Sequence, residues 1–380
     1  MAGTLRVGMV GYAFMGAAHA HAWRTAPRFF DLPLRPELTA VCGRSAAEVR
    51  TAAARQGWAG TETDWKRLVE RDDIDLIDIC TPGDSHAEIA LAALAAGKHV
   101  LCEKPLANTV AEAEAMTAAA QRARAAHGAR AAVGFNYRRV PAVSLARQLV
   151  AEGRLGRIRH VRAQYLQDWL VDPEAPVTWR LRAERAGSGS LGDLGAHAVD
   201  LAQFLTGEPI TGVSAVLETF VPERPDPAGG RRPVTVDDAA AFTARFGGGA
   251  LGVFEATRFA TGRKNALRIE VDGELGALVF DLESLNELGF YDRAESSRTA
   301  GFRRVLATEP EHPYAAAWWP AGHVLGYEHT FTHQVKDLVE AIAAGTDPTP
   351  SFAEGLRVQR VLDAVAASAR TASVWTAVTD

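Results

Sequence analysis

The chain has 380 residues, 47% apolar and 23% charged, with a formal net charge of −5. That length suits two or three domains with sizeable cores. The acidic balance argues against a nucleic-acid binder, which carries a basic patch or stripe, and no apolar run approaches bilayer-spanning length.

Cys42, Cys80 and Cys102 are odd in number and lack a C-x-x-C spacing, so neither a disulfide framework nor a zinc site is expected. Met1-Ala2-Gly3-Thr4 runs straight into a strand-like Leu5–Val10 and leaves no room for a secretory signal. A reduced, soluble, cytoplasmic protein is the expectation.

After that first strand come Gly11-Tyr12-Ala13-Phe14-Met15-Gly16 and a helical stretch through Trp23. A strand, a tight glycine turn and a helix let a pyrophosphate approach backbone N–H groups at the helix N-terminus. The middle glycine of the G-x-G-x-x-G pattern is Ala13 here, one added methyl that a negative φ tolerates. Alone, this loop is as consistent with an ordinary turn.

The alternation continues. Strands are expected at 38–42, 74–80, 99–102 and 131–135, with helices at 45–56, 85–96 and 109–127. Ser45/Glu48, Ser85/Glu88 and Thr109/Glu112 have the spacing of capping boxes. Such alternation predicts an α/β, doubly wound parallel sheet of Rossmann type, with its ligand crevice beyond the strands' carboxyl ends.

Three stretches fall at those ends. The second strand exits into Gly43-Arg44-Ser45 without the acid that holds an NAD ribose, and Glu37 precedes that strand, at its wrong end. Arg44 is either a contact for a 2′-phosphate, which favours NADP, or a solvated side chain beside a capping serine. Thr81-Pro82-Gly83-Asp84-Ser85-His86 follows the third strand and also reads as a plain capped turn. Cys102-Glu103-Lys104-Pro105 follows the fourth. Lys104 is one of only five lysines, and partial desolvation there would lower its pKa toward that of a proton-passing group.

From about Asn136 the alternation stops. A helix over 140–152 leads to strand-like runs at 158–164, 213–220, 239–246, 250–257, 267–272, 277–281 and 287–291, separated by glycine turns. Successive strands without intervening helices predict an α+β domain on a large, mainly antiparallel sheet. Pro222–Pro233 reads as a mobile Pro/Gly-rich loop, and 327–344 and 351–370 as closing helices, the last with a Ser351/Glu354 capping box. The division expected is 1–135 for the dinucleotide and 136–380 for substrate and oligomerisation. His323, His329 and His333 lack a carboxylate partner of clear geometry, so no metal is expected.

Within the second half, Ser188-Gly189-Ser190-Leu191-Gly192 opens a helical pattern in which Asp193 and His197 lie four apart, on one face. A carboxylate so placed fixes an imidazole tautomer and leaves the other nitrogen for substrate. A capping Asp beside a core His has the same spacing.

Taken together, the Gly11–Gly16 loop, Thr81-Pro82…His86, Glu103-Lys104-Pro105 and Asp193…His197 resemble the glucose–fructose oxidoreductase/inositol dehydrogenase (Gfo/Idh/MocA) family over essentially the whole chain. Phe135-Asn136-Tyr137-Arg138-Arg139, Tyr165-Leu166-Gln167-Asp168-Trp169, Val221-Pro222-Glu223-Arg224-Pro225, Glu255-Ala256-Thr257-Arg258 and His312-Pro313-Tyr314 resemble its levoglucosan dehydrogenase-like members. The resemblance implies a catalytic set of Lys104, Asp193 and His197.

It further implies cofactor contacts from Gly11, Ala13, Phe14, Met15, Gly16, Gly43 and Arg44, from Thr81, Pro82, His86, Glu103 and Lys104, and from Asn136, Trp179 and Arg180. Tyr137, Arg138, Tyr165 and Asp168 would join the catalytic three around a sugar.

The activity so implied is hydride transfer between a secondary hydroxyl of a pyranose or cyclitol and NAD(P), with a leaning to NADP, in a homodimer or homotetramer packed through the second sheet. An NAD-dependent glycosidase and a non-catalytic dinucleotide-binding sensor are the alternatives. The proton-handling set counts against the sensor.

Overall fold

The computed structural model describes residues 3–379. The chain divides into two compact units, and the division is not the linear one expected at 135/136. Unit 1 comprises 1–139 together with 326–356, and unit 2 comprises 140–325 with 357–380.

Unit 1 opens with β1 (Gly3–Val10), α1 (Phe14–Phe29), β2 (Leu34–Cys42), α2 (Ala46–Gln56), β3 (Gly60–Glu62) and α3 (Trp65–Glu70). It continues with β4 (Leu76–Ile79), α4 (His86–Ala95), β5 (His99–Cys102), α5 (Val110–His127) and β6 (Ala131–Val133). The six strands are parallel in the order β3-β2-β1-β4-β5-β6, the doubly wound arrangement expected. Its order reverses between β1 and β4, which opens the ligand crevice above their carboxyl ends. The short β3, with three residues and no apolar run, escaped the sequence pattern.

The helix starts follow local chemistry only in part. Thr109 and Glu112 form the full reciprocal box, whereas Ser45 accepts from the Glu48 N–H while the Glu48 carboxylate accepts from the Tyr12 hydroxyl. Ser85 caps nothing: its hydroxyl donates to the Pro82 carbonyl and is hydrogen-bonded to the Thr81 hydroxyl.

Unit 2 runs through α6 (Pro141–Ala151), β7 (Ile158–Leu166), α7 (Ala183–Ala186), α8 (Ala196–Thr206), β8 (Ile210–Glu218), β9 (Glu223–Pro225) and β10 (Arg231–Pro233). There follow β11 (Ala239–Phe246), β12 (Leu251–Thr257), β13 (Ala266–Gly273), β14 (Gly276–Asp281), β15 (Glu287–Asp292) and β16 (Arg303–Leu306). With β17 (Thr376–Ala377) they build a nine-stranded sheet ordered β16-β15-β14-β13-β7-β12-β11-β8-β17, antiparallel except for the β7–β12 pair. Period-2 burial along β11 and β12 puts Phe242, Ala244, Phe254 and Ala256 inside.

The stretch expected as a mobile loop at 222–233 is instead the β9–β10 hairpin, anchored by buried Arg224, whose guanidinium donates to the Leu170 and Asp172 carbonyls.

The chain then returns. α9 (Tyr327–Ala344) places Phe331, Val335, Leu338 and Val339 into one core with Leu5, Val7, Trp23 and Ala26. This apolar face, one helix long and far in sequence from α1, is why 326–356 belongs with the first unit. In α10 (Phe352–Arg370) the expected Ser351/Glu354 box is present at the N-terminus. No helix among the described residues is long and apolar enough to cross a membrane.

Candidate active site

In unit 1 the loop between β1 and α1 demands its glycines. Gly11 has φ +101°, and a Cβ there would lie 2.6 Å from the Cys80 carbonyl oxygen; a Cβ on Gly16 would lie 2.1 Å from the Gly11 oxygen. Ala13, the residue before α1, is extended with φ −71°, so its methyl is accommodated. Phe14 stands 67% exposed, stacked on Tyr327, and Met15 is half-buried.

At the end of β2 the Tyr12 ring occupies the space that a Gly43 Cβ would fill, and Arg44 is exposed. Glu37 lies in the amino-terminal part of β2, paired with Arg6 of β1, away from this end.

The loops after β4 and β5 are tied together by His86. Its Nε2 lies 2.9 Å from the Thr81 oxygen and its Nδ1 3.0 Å from the Pro105 oxygen. A buried His86 therefore spaces these loops rather than facing the crevice, while Thr81 and Pro82 stay half-buried at the edge. The Lys104–Pro105 peptide is cis, and Lys104 is half-buried.

Glu103 turns inward. Its Oε2 accepts from the Lys104 N–H at 3.2 Å, and its Oε1 lies 3.0 Å from His19 Nε2. His19 Nδ1 lies 3.0 Å from both oxygens of Asp78, which also accepts from Trp23 Nε1 at 2.7 Å. Burial alone would lower the His19 pKa; the Asp78 charge first, then Cys80 and the hydrogen bonds to both, outweigh it and hold the imidazole pKa well above its ordinary value. His19, Asp78 and Cys80 bring potential ligand atoms within 4.8 Å of one another. The 3.0 Å His19–Asp78 separations are those of hydrogen bonds.

Asn136, Arg138 and Arg139 are buried and committed to the returning segment. Asn136 Nδ2 donates to Thr330 Oγ1, the Arg138 guanidinium pairs with Glu354 at 2.6 Å, and Arg139 pairs with Asp337 at 3.0 Å. The Arg138 guanidinium, expected at substrate, is thus engaged by the α10 capping box. Tyr137 is buried edge-on to Tyr327. His333 Nδ1 donates to the Arg139 carbonyl at 2.9 Å, and burial pushes the His333 pKa down to about 3.

In unit 2 the helix carrying Asp193 and His197 is not α-helical throughout, as its spacing predicted. Residues Leu191–Gly195 form a π-turn, with the Ala196 N–H reaching the Leu191 oxygen, before α8 begins. Such turns recur at functional sites because the extra residue re-aims side chains. Asp237 holds the entry, accepting from the N–H groups of Gly189 and Leu191 and from the Ser190 hydroxyl at 2.7 Å each.

A chain of contacts runs from Asp193 to His197. Asp193 accepts from Arg258 Nη2 at 3.0 Å, and the Arg258 guanidinium stands 5.3 Å from the Trp169 ring centroid. Trp169 Nε1 donates to Gln167, Gln167 Nε2 to Asn265, and the Tyr165 hydroxyl to the same Asn265 oxygen. The Tyr165 ring then meets His197 edge-on at 5.9 Å. Arg258 is 1% exposed, Asp193 32%, and the Nε and Nη1 of Arg258 find no hydrogen-bond partner among the described residues.

Asp168, expected at substrate, pairs with Lys264 at 2.7 Å, and the Lys264 hydrogen bond holds its carboxyl below the usual range. Trp179 and Arg180 stack on each other at 4.5 Å, half-buried.

Sequence reasoning missed His19, Asp78, Asn265 and Arg258 as site residues. Two of them carried a signal. Asp78 is an acid inside an otherwise apolar, doubly covered strand, where burial requires a partner. Arg258 continues the inward period of Phe254 and Ala256, so its guanidinium had to be buried as well.

Residues 5–130 match the model of the oxidoreductase family, NAD-binding Rossmann fold, and residues 143–279 that of the GFO/IDH/MocA C-terminal domain. Levoglucosan dehydrogenase from Pseudarthrobacter phenanthrenivorans is 42% identical, the match taking in 96% of each chain. An oxidoreductase domain protein from Kribbella flavida has a TM-score of 0.97 at 67% identity over 100% of both chains. Levoglucosan dehydrogenase in complex with NADH and levoglucosan has a TM-score of 0.95 at 41% identity over 99% of both. On the strength of both family models and of near-complete coverage by these relatives, the chain belongs to the GFO/IDH/MocA oxidoreductase family, with an NAD-binding Rossmann fold as its first unit.

Proposed function

We propose that this protein is a dehydrogenase that oxidises a secondary hydroxyl of a pyranose, with levoglucosan or a related sugar or cyclitol as substrate. The observation that carries the reading is the contact chain joining Asp193, on the π-turn, to His197, in the α8 that follows it, through Arg258, the exposed ring of Trp169 and Tyr165. Its relatives include a levoglucosan dehydrogenase seen with NADH and levoglucosan.

Bound NAD(P)+ supplies the hydride acceptor. The Gly11–Gly16 loop receives the pyrophosphate at the α1 N-terminus. His197, its ring oriented by Asp193, would take the proton of the substrate hydroxyl. Lys104 would stabilise the developing alkoxide. Trp169 offers a ring face to the apolar edge of the sugar.

Lys104→Ala and His197→Ala should each lower turnover ~100- to 10,000-fold while leaving NADH affinity nearly intact. If both residues serve the same hydroxyl, the double variant is hardly worse than the poorer single one. Full activity in either single variant ends the assignment. The assay uses levoglucosan, other pyranoses and inositols with both NAD and NADP, and net cofactor reduction separates a dehydrogenase from a glycosidase that returns its hydride.

Two finer points belong to the same reading. Exposed Arg44 at the end of β2, with no acid beside it, supports acceptance of a 2′-phosphate and hence use of NADP alongside NAD. Val216, Leu251 and Val253 stand exposed on the nine-stranded sheet and support a homo-oligomer packed through that face, which light scattering would register as at least a dimer. Three cysteines without disulfides fit a reducing compartment such as the cytoplasm.

A further inference from the structure

Two carboxylates and an imidazole lie together in the core of unit 1 with side chains almost fully buried: Asp78 at 0%, His19 at 1% and Glu103 at 6% exposure. Burying such charges costs several kcal/mol per ion before pairing, roughly. An apolar trio would fill the space more cheaply. The position is not arbitrary. Asp78 lies in β4, in register with Met9 of β1 and Leu101 of β5, and Glu103 is the first residue after β5. His19 lies in the second turn of α1, the helix that the Gly11–Gly16 loop opens. The cluster therefore sits just beneath the carboxyl ends of the strands flanking the switch point, where doubly wound sheets take their ligand.

Its charge follows from counting donors. Both His19 nitrogens face carboxylate oxygens, and a neutral imidazole has only one N–H to give. Asp78 accepts from His19, Trp23 and the Cys80 thiol, and Glu103 accepts from His19 and the Lys104 N–H. Each carboxylate oxygen already faces a donor. Two carboxylates around one imidazolium leave a single net negative charge. The other ionisable groups against His19 add nothing to it, since burial pushes the Cys80 and Cys102 thiols up and keeps them neutral. The Phe331 ring, 5.3 Å away, is uncharged.

We infer that the Asp78–His19–Glu103 cluster sets the preference of the nucleotide site for the oxidised over the reduced cofactor. Resting on the nucleotide-binding reading above, this follows from the one property that changes between the two forms: the nicotinamide ring is a cation in NAD+ and neutral in NADH. A fixed, desolvated negative charge beneath the crevice favours the cation, and it acts at low local dielectric, where salt screens it little. The same field favours the reactant side of alcohol oxidation and helps the reduced product leave.

The test is binding, not turnover. Dissociation constants for NAD+ and NADH are measured by calorimetry on wild type, Glu103→Gln, Asp78→Asn and the charge-preserving Glu103→Asp. The ratio Kd(NAD+)/Kd(NADH) should rise roughly 5-fold or more in each neutralised variant, the scale of a typical site coupling, and stay at the wild-type value in Glu103→Asp. A ratio unchanged within about twofold in a folded, nucleotide-binding Glu103→Gln or Asp78→Asn overturns the inference, as does equal weakening of both nucleotides. The two neutralised variants guard against one failing to fold. Failure of the underlying reading looks different, because wild type itself would then bind neither nucleotide.

Discussion

The two units solve the same problem, a charge held out of water beside a site, in opposite ways. In unit 1 the His19 imidazolium is closed in on both sides, and each carboxylate oxygen faces a donor. In unit 2 the Arg258 guanidinium is as deeply buried, yet it spends one nitrogen on Asp193 and the Gly189 carbonyl and leaves Nε and Nη1 without partners among the described residues. Its Asp193 partner reaches solvent. The first arrangement is a finished network that can only be damaged, and the second keeps polar capacity in reserve where a sugar, rich in hydroxyls, is proposed to bind.

The contrast breaks first at His19. His19→Leu leaves the Asp78 and Glu103 carboxylates buried with their shared cation gone, and should cost roughly 3 to 5 kcal/mol in urea unfolding. A loss under about 1 kcal/mol would mean the cluster is hydrated or uncharged. The pH dependence carries the same information with a definite sign. The folded state holds the His19 proton well above the unfolded value of about 6.5. Its contribution is fully present below about pH 6.5 and disappears as pH rises through the raised folded value. Wild type should therefore lose stability on the alkaline side, and His19→Leu should flatten that limb. His333, pushed down to about 3, works with the reverse sign and only between about 6.5 and 3, so it does not obscure the measurement.

Arg258→Met comes next. Asp193 is exposed enough to take water in place of the guanidinium, so the expected cost is about 1 to 3 kcal/mol, less than at His19. Turnover should fall with NADH affinity unchanged, since the guanidinium serves Asp193 and the Gly189 carbonyl. A cost as large as that of His19→Leu would erase the distinction between the two clusters.

Much of this was legible beforehand, and what was not has a common cause. The alternating strands and helices of unit 1 and the strand-like runs of β11 and β12 are local patterns and appear where expected, although β2 already begins at Leu34 and α1 continues past Trp23 to Phe29. The return of α9 to the first core depends on Phe331 and Val335 meeting Trp23, some three hundred residues away in sequence, and periodicity says which face is apolar but not what covers it. The capping boxes show the same limit on a small scale. Thr109 and Glu112 are alone together, whereas Glu48 is drawn off by Tyr12 and Ser85 by Thr81, partners no spacing rule includes. Asp193 and His197 were legible as a pair, but the π-turn between them and the guanidinium behind them were not.

The smallest effect tests the reserve capacity itself. The Tyr165 hydroxyl donates to Asn265 Oδ1, an oxygen that also receives Gln167 Nε2. Tyr165→Phe removes one of two donors, so Asn265 keeps a partner in Gln167. The ring stays to meet His197 edge-on. Stability should drop by about 1 kcal/mol, the net worth of one ordinary hydrogen bond, and turnover should change little. A fall in kcat of more than about tenfold at unchanged KM would show that the hydroxyl acts on the transition state. The wall around His197 would then be part of the chemistry rather than its support.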